Sequence, residues 1–230
     1  MNNIILSSAT IGVAISLLAY QLGTFLKQKT KKAFLNPLLI SIILVIIFLL
    51  LFDIEYESYN QSAKYLSYLL TPATVSLAIP LYQQLDLLKK NWLAVVIGIV
   101  SGVLTSLTSV LLLSMAFGLT HEEYVTLLPK SITTAIGMGI SEEFGGYPTI
   151  TVAVIIVTGI FGNMIAEGFC KLFGIKHPIS KGLAIGTSSH AMGTTKALEM
   201  GQIEGAMSSL SIVVAGLMTV ILASFFTMMY

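Results

Sequence analysis

Long apolar runs separated by short charged turns set the pattern of this chain. Residues 4–26, 37–52, 93–117, 149–173 and 205–230 are each almost continuously apolar. Runs of this kind read as membrane-spanning helices, which need roughly 20 residues each. Three further stretches break the pattern. Residues 63–87 contain YLLTPATVSLAIPLYQQL. There Pro72 and Pro80 each remove a backbone donor and clash with the preceding turn, so a kinked or broken helix is expected. Residues 127–141 are short and polar, with Lys130, Ser131, Thr133 and Thr134 ahead of Gly137 and Gly139. They form either a short span or a re-entrant hairpin that ends in the turn SEEFGG. The third stretch, GLAIGTSSHAMGTTKALEMG over residues 182–201, gathers Gly, Ser, Thr, His, Lys and Glu between apolar runs. Polar backbone at membrane depth survives only where protein or a water-filled cavity surrounds it. This stretch is therefore expected to line a substrate path.

Composition sharpens the class. The chain is 55% hydrophobic and 10% charged, whereas soluble domains carry about 25% charged residues. The expectation is an all-α polytopic membrane protein of about seven or eight transmembrane segments, some of them broken or re-entrant. It would form a single integral domain over residues 1–230, with no soluble domain. A net charge of +1 offers nothing to nucleic acid. MNNIILSSATIG lacks the basic start and small-residue cleavage site of a signal peptide, so the first run is expected to be retained. The basic run Lys27, Lys29, Lys31 and Lys32 is expected on the cytoplasmic side. If residues 127–141 re-enter, the loop with Lys171, Lys176 and Lys181 is cytoplasmic as well. If they span, that loop is external, against the positive-inside rule.

An internal repeat emerges at a displacement of 57 residues, where LLTPATVSLAIPL lies over TLLPKSITTAIGM and Pro72 falls on Pro129. The same displacement carries VVIGIVSGVLTS onto VAVIIVTGIFGN, placing Gly102 on Gly159. The repeat units cover about 66–120 and 123–175. Interrupted segments at matching positions of a repeat point to a transporter's binding site.

No catalytic constellation assembles, because nothing fixes Ser188 or Ser189 against a base. His121, His177 and His190 match no metal-ligand spacing, and no cofactor is expected. The single cysteine, Cys170, reads as a small buried hydrophobe. His190 has two readings, a satisfied structural donor or a group that binds carboxylate or carries a proton. Lys196 is expected to snorkel to the interface. Lys130, between Pro129 and Ser131, is the better cation for drawing in an anion. Broken helices also aim partly positive N-termini at anions, so a small carboxylate suits this chemistry. The residues expected around it are Pro72, Thr74, Lys130, Ser131, Thr133, Thr134, Ser188, Ser189, His190, Gly193 and Thr194. Proline and glycine would break helices, hydroxyls and lysine would bind the carboxylate, and histidine would donate or shuttle a proton.

At these residues the chain resembles a known family. TPATVSLAIPLY, LLPKSITTAIGM, SEEFGG and KGLAIGTSSHAMGTTKALEMG followed by GAMSSLS look like the LrgB/CidB membrane family. The resemblance runs from NPLL at Asn36 to the last apolar run, and KSIT and SHAMGTTKALE look closer to its CidB-type members. It implies a multi-pass protein of the bacterial plasma membrane. Bacterial members are holin- or antiholin-like factors in control of murein hydrolase activity, autolysis and programmed cell death. They act with a small LrgA/CidA-like membrane partner. Related members are transporters, associated with pyruvate uptake in bacteria and with glycolate and glycerate export from plant plastids. The plastid relative carries an LrgA-like part ahead of its LrgB-like part. This sequence has none, so a separate partner chain is expected, alongside self-association into a homo-oligomer. Two functions follow from the resemblance: a carrier of small monocarboxylates linked to autolysis, or a holin/antiholin-like regulator without carrier activity. A membrane enzyme is the remainder, with no assembled site. Polarity inside several non-adjacent segments favours the carrier.

Overall fold

A computed structural model describes residues 10–30 and 35–230, except for the side chains of Leu70 and Thr74. The expected start of the first span and the basic residues Lys31 and Lys32 lie outside the described residues. The described chain is helical, with no strand among the described residues. It divides into two compact units, Met1–Ser76 and Leu77–Tyr230. The first repeat unit expected from sequence, about 66–120, crosses that division.

In the first unit, α1 (Ile11–Thr30) packs along α2 (Pro37–Leu51) and against α3 (Tyr56–Ala63). Asn36 starts α2, its Oδ1 accepting from the amides of Leu38 at 2.9 Å and Leu39 at 3.3 Å, with Pro37 in the first helical position. Small residues set the contacts. The Gly12 amide donates to Ser62 Oγ at 2.9 Å, and Gly23 lies on the Pro37 backbone. A 3₁₀ segment, Lys64–Leu69, then leads into α4 (Leu70–Ser76). Most of the large apolar side chains here face outward, including Leu17, Leu22, Phe25, Leu50 and Leu51.

The second unit begins with α5 (Ala78–Gln83) and α6 (Leu85–Lys90). The proline-rich stretch is thus cut into pieces of six or seven residues, as its two prolines lead one to expect. Next come α7 (Trp92–Phe117), α8 (His121–Leu127) and α9 (Thr134–Glu143), followed by α10 (Pro148–Leu172), α11 (Pro178–Met200) and α12 (Gln202–Thr227). Gly118 closes α7 in the left-handed conformation, at φ 62°. Thr120 and Glu123 cap α8 reciprocally, each side chain accepting from the other residue's amide. Val95, Ile99, Val103, Leu107 and Leu111, spaced four apart on α7, meet Tyr124 and Val125 of α8 and Met207 and Ala215 of α12 in one core. The Tyr230 hydroxyl donates to the Leu119 carbonyl.

Three of the described helices, α7, α10 and α12, are long and apolar enough to cross a membrane by themselves. The expected count of seven or eight therefore rests on shorter or interrupted helices. At 15 residues, α2 is only about 22 Å long against a bilayer core of about 30 Å. At 23 residues α11 is long enough, but its hydroxyls, His190 and Lys196 set it apart from the apolar helices.

Candidate functional site

The centre of the second unit is a helix that breaks. Within α11 the helical dihedrals fail at Ser189 (φ −134°, ψ 15°) and His190 (φ 41°, ψ −140°). His190 is one of two non-glycine residues with positive φ among those described, and such a conformation persists only where the surroundings over-determine it. They do so here. His190 is buried, and its Nε2 donates to the Ile155 carbonyl of α10 at 2.9 Å. The carbonyl of His190 accepts from Thr194 Oγ1 at 3.0 Å, and that hydroxyl also bonds Ser208 Oγ of α12 at 2.7 Å. Asn163 Nδ2 reaches across from α10 to the Met192 carbonyl at 2.7 Å and to Thr195 Oγ1 at 3.0 Å.

Glycines let the neighbouring helices come this close. A Cβ added at Gly159 would lie 2.6 Å from the His190 ring, and one added at Gly102 would lie 2.6 Å from Thr187 Oγ1. At Gly162 it would run into Ser189 Oγ. On the far side, Gly182 and Gly186 of α11 rest on the α12 backbone at Glu204 and Ser208. Small residues allow such close approach, and here they seat the break.

Around the break lies a cavity of about 490 Å³. From α7 it takes Ser101, Gly102, Thr105, Ser106 and Ser109; from the turn before α9, Lys130 and Ser131; and from α11, Thr187, Ser188 and Ser189. Helix α10 adds Thr158 and then an apolar wall of Phe161, Ile165, Phe169 and Cys170. Lys130 Nζ donates to Ser131 Oγ at 3.1 Å, and Ser106 Oγ donates to the same oxygen at 3.0 Å. Ser188 and Ser189 pair through their hydroxyls at 3.0 Å. Among the described residues no carboxylate lies within ion-pair distance of Lys130. The site is a partly buried ammonium among hydroxyls, with an apolar wall opposite. An ammonium in such surroundings is electrostatically receptive to negative charge.

Four of the residues expected from sequence meet on this wall: Lys130, Ser131, Ser188 and Ser189. The others fall elsewhere. His190 is turned into the α10 contact with Nε2 committed to Ile155, Thr194 is tied to α12, and Gly193 packs on Ser189 and Ile185. Thr133 is the residue preceding α9, and Thr134 is the first residue of that helix. Pro72 lies in α4 of the first unit, and the side chain of Thr74 is outside the described residues. The hydroxyl face of α7 was missed. Ser101, Thr105 and Ser109 recur every four residues along an apolar helix, with Gly102 and Ser106 beside them, and that spacing is the signal that finds them. Among the described residues no group of three His, Cys, Asp or Glu side chains is placed to hold a metal.

Apolar helices of spanning length around a hydroxyl-lined interior define a helical membrane protein. The profile of the LrgB-like family matches residues 16–229, and the chain belongs to that family. It is similar to the proteins named antiholin-like protein LrgB from Bacillus mycoides, Bacillus cereus and Bacillus anthracis. Each is 41% identical over 216 residues, which cover 94% of this chain and 94% of the relative. These matches support the family and do not separate the CidB-type expected from KSIT and SHAMGTTKALE. No solved structure matches the chain.

Proposed function

We propose that this chain carries small monocarboxylates, of the pyruvate, glycolate or glycerate type, across the bacterial plasma membrane as a multi-pass protein, and that this flux feeds into control of murein hydrolase activity and autolysis. The observation that supports the reading is Lys130, a cavity ammonium whose partner is a hydroxyl rather than a carboxylate. A partly desolvated charge without a counter-ion is costly, and an incoming carboxylate offsets that cost. Ser131 and Ser106 then supply further contacts to its oxygens, while the apolar wall of α10 faces the methyl or methylene end. The cavity exceeds the size of a three-carbon acid, which leaves room for bridging water. The repeat of interrupted segments expected from the sequence points the same way. The partner in this reading is a small LrgA/CidA-like membrane protein, and the chain associates with copies of itself.

The test is uptake of labelled pyruvate into liposomes holding the purified chain, with and without a pH gradient and with and without that partner. Saturable uptake that is lost in Lys130→Met supports the carrier. Equal uptake by Lys130→Met overturns the site.

A second reading is favoured by the name that the relatives carry, antiholin-like protein LrgB. The chain would then regulate murein hydrolases and lysis through association with the small partner, without carrying a solute. Release of a trapped dye from liposomes holding either chain or both separates the two readings. Dye release by the partner that this chain suppresses, together with no pyruvate uptake, favours the antiholin role.

A further inference from the structure

Beside the hydroxyl-lined cavity lies another, of about 510 Å³, whose charged wall is Glu167, Lys171, Lys176, Lys181, Lys196 and Glu199. The two cavities share Ile175 and Cys170. Four lysines against two glutamates leave the wall with a net charge of +2. That charge is unevenly compensated. Glu167 takes both Lys171 at 2.9 Å and Lys196 at 3.1 Å, and Glu199 takes Lys196 at 3.3 Å. Lys181 reaches the buried Glu204 only at 3.9 Å. Lys176, exposed in the loop between α10 and α11, has no ion pair among the described residues.

We propose that this charged chamber is the vestibule through which the anionic solute reaches Lys130, with Ile175 and Cys170 as its neck and the surplus charge of Lys176 and Lys181 selecting anions there. A cleft lined by one sign of charge against low-dielectric walls concentrates ions of the opposite sign. Charges already held by Glu167 and Glu199 contribute little to that field; Lys176, with no ion pair among the described residues, contributes most, and the loosely paired Lys181 adds to it. The solute's identity rests on the carrier reading, whereas the preference for negative charge stands on the vestibule alone.

The chain has one cysteine, so a reporter thiol is readily placed at the neck. Full-length protein carrying Cys170→Ser and Ile175→Cys is put into liposomes at low salt. Its labelling rates are measured with an anionic and a cationic methanethiosulfonate of similar size. The expected result is that Lys176→Glu lowers the anionic-to-cationic rate ratio about fivefold and Lys176→Gln about twofold, with both shifts shrinking as salt rises. A ratio unmoved by either substitution overturns the vestibule and leaves the lysines as topological anchors. Labelled-pyruvate uptake, measured on vesicles holding the unlabelled protein, separates the two proposals. Charge-dependent labelling without uptake removes the carrier and keeps the selective vestibule. Uptake with charge-independent labelling removes the vestibule and keeps the carrier.

Discussion

Lys130 and Lys196 are both lysines within polar stretches of a strongly apolar chain, yet their surroundings are opposite. Lys196 bridges Glu167 of α10 and Glu199 of its own helix, at 3.1 Å and 3.3 Å. Lys130 faces Ser131 and the hydroxyls of α7. A lysine between two carboxylates is electrically finished and ties two helices together. A lysine among hydroxyls is positioned but not neutralised, and so remains receptive to an anion. Glu199 stands three residues along from Lys196 in the sequence, whereas Glu167 is brought by another helix, and the local sequence does not reveal that second acid.

The largest effect expected from this contrast is on uptake. Removing the charge with Lys130→Met should weaken pyruvate transport about 10- to 100-fold, the worth of a hydrogen bond to a charged group. Thermal stability in detergent should stay level or rise, because a desolvated charge is gone. Next comes Ser106→Asp, which gives Lys130 the kind of partner that Lys196 already has. Uptake should fall about tenfold or more while the melting temperature rises. If Ser106→Asp transports normally, the contrast between the two lysines has no functional meaning.

His190 gives a smaller effect, read in stability. His190→Ala loses the bond to Ile155 and keeps an unfavourable backbone conformation, whereas His190→Gly loses the bond and relieves the backbone. The glycine variant should be about 1 kcal/mol the more stable of the two in thermal unfolding. The reverse order would mean that the positive φ is not borne by this residue. The smallest effect belongs to Lys196→Gln, which should cost less than about 1 kcal/mol, since its carboxylate partners are half-exposed. Its pyruvate uptake should stay within about threefold of the parent chain.

Much of this was legible in the sequence for physical reasons. Polar residues in an apolar run announce an interior, and residues 182–201 do contain the broken helix. Pro72 and Pro80 announce interruption, and that segment is cut into short helices. Which side chain points where was not legible. Ser189 and His190 are adjacent, yet one lines the cavity and the other is turned into α10. The dihedral change at the break sets that rotation, and no helical periodicity carries across it. Thr194 resembles Ser188 in composition, but Ser208 on the following helix claims it. The hydroxyls of α7 were readable by their spacing, though an apolar helix draws attention to its length rather than to its one polar face.

The absent side chain of Gly162 has an inheritance of its own. An added methyl there collides with Ser189, while the Ser189 Cα would stand 3.8 Å away, an ordinary contact. The two positions therefore behave as one locus. Gly162→Ala should be damaging alone, and Ser189→Gly should rescue it, so that residue 162 can grow only after residue 189 has shrunk. In a lineage of such chains, a side chain at residue 162 is therefore expected only where residue 189 has lost its own.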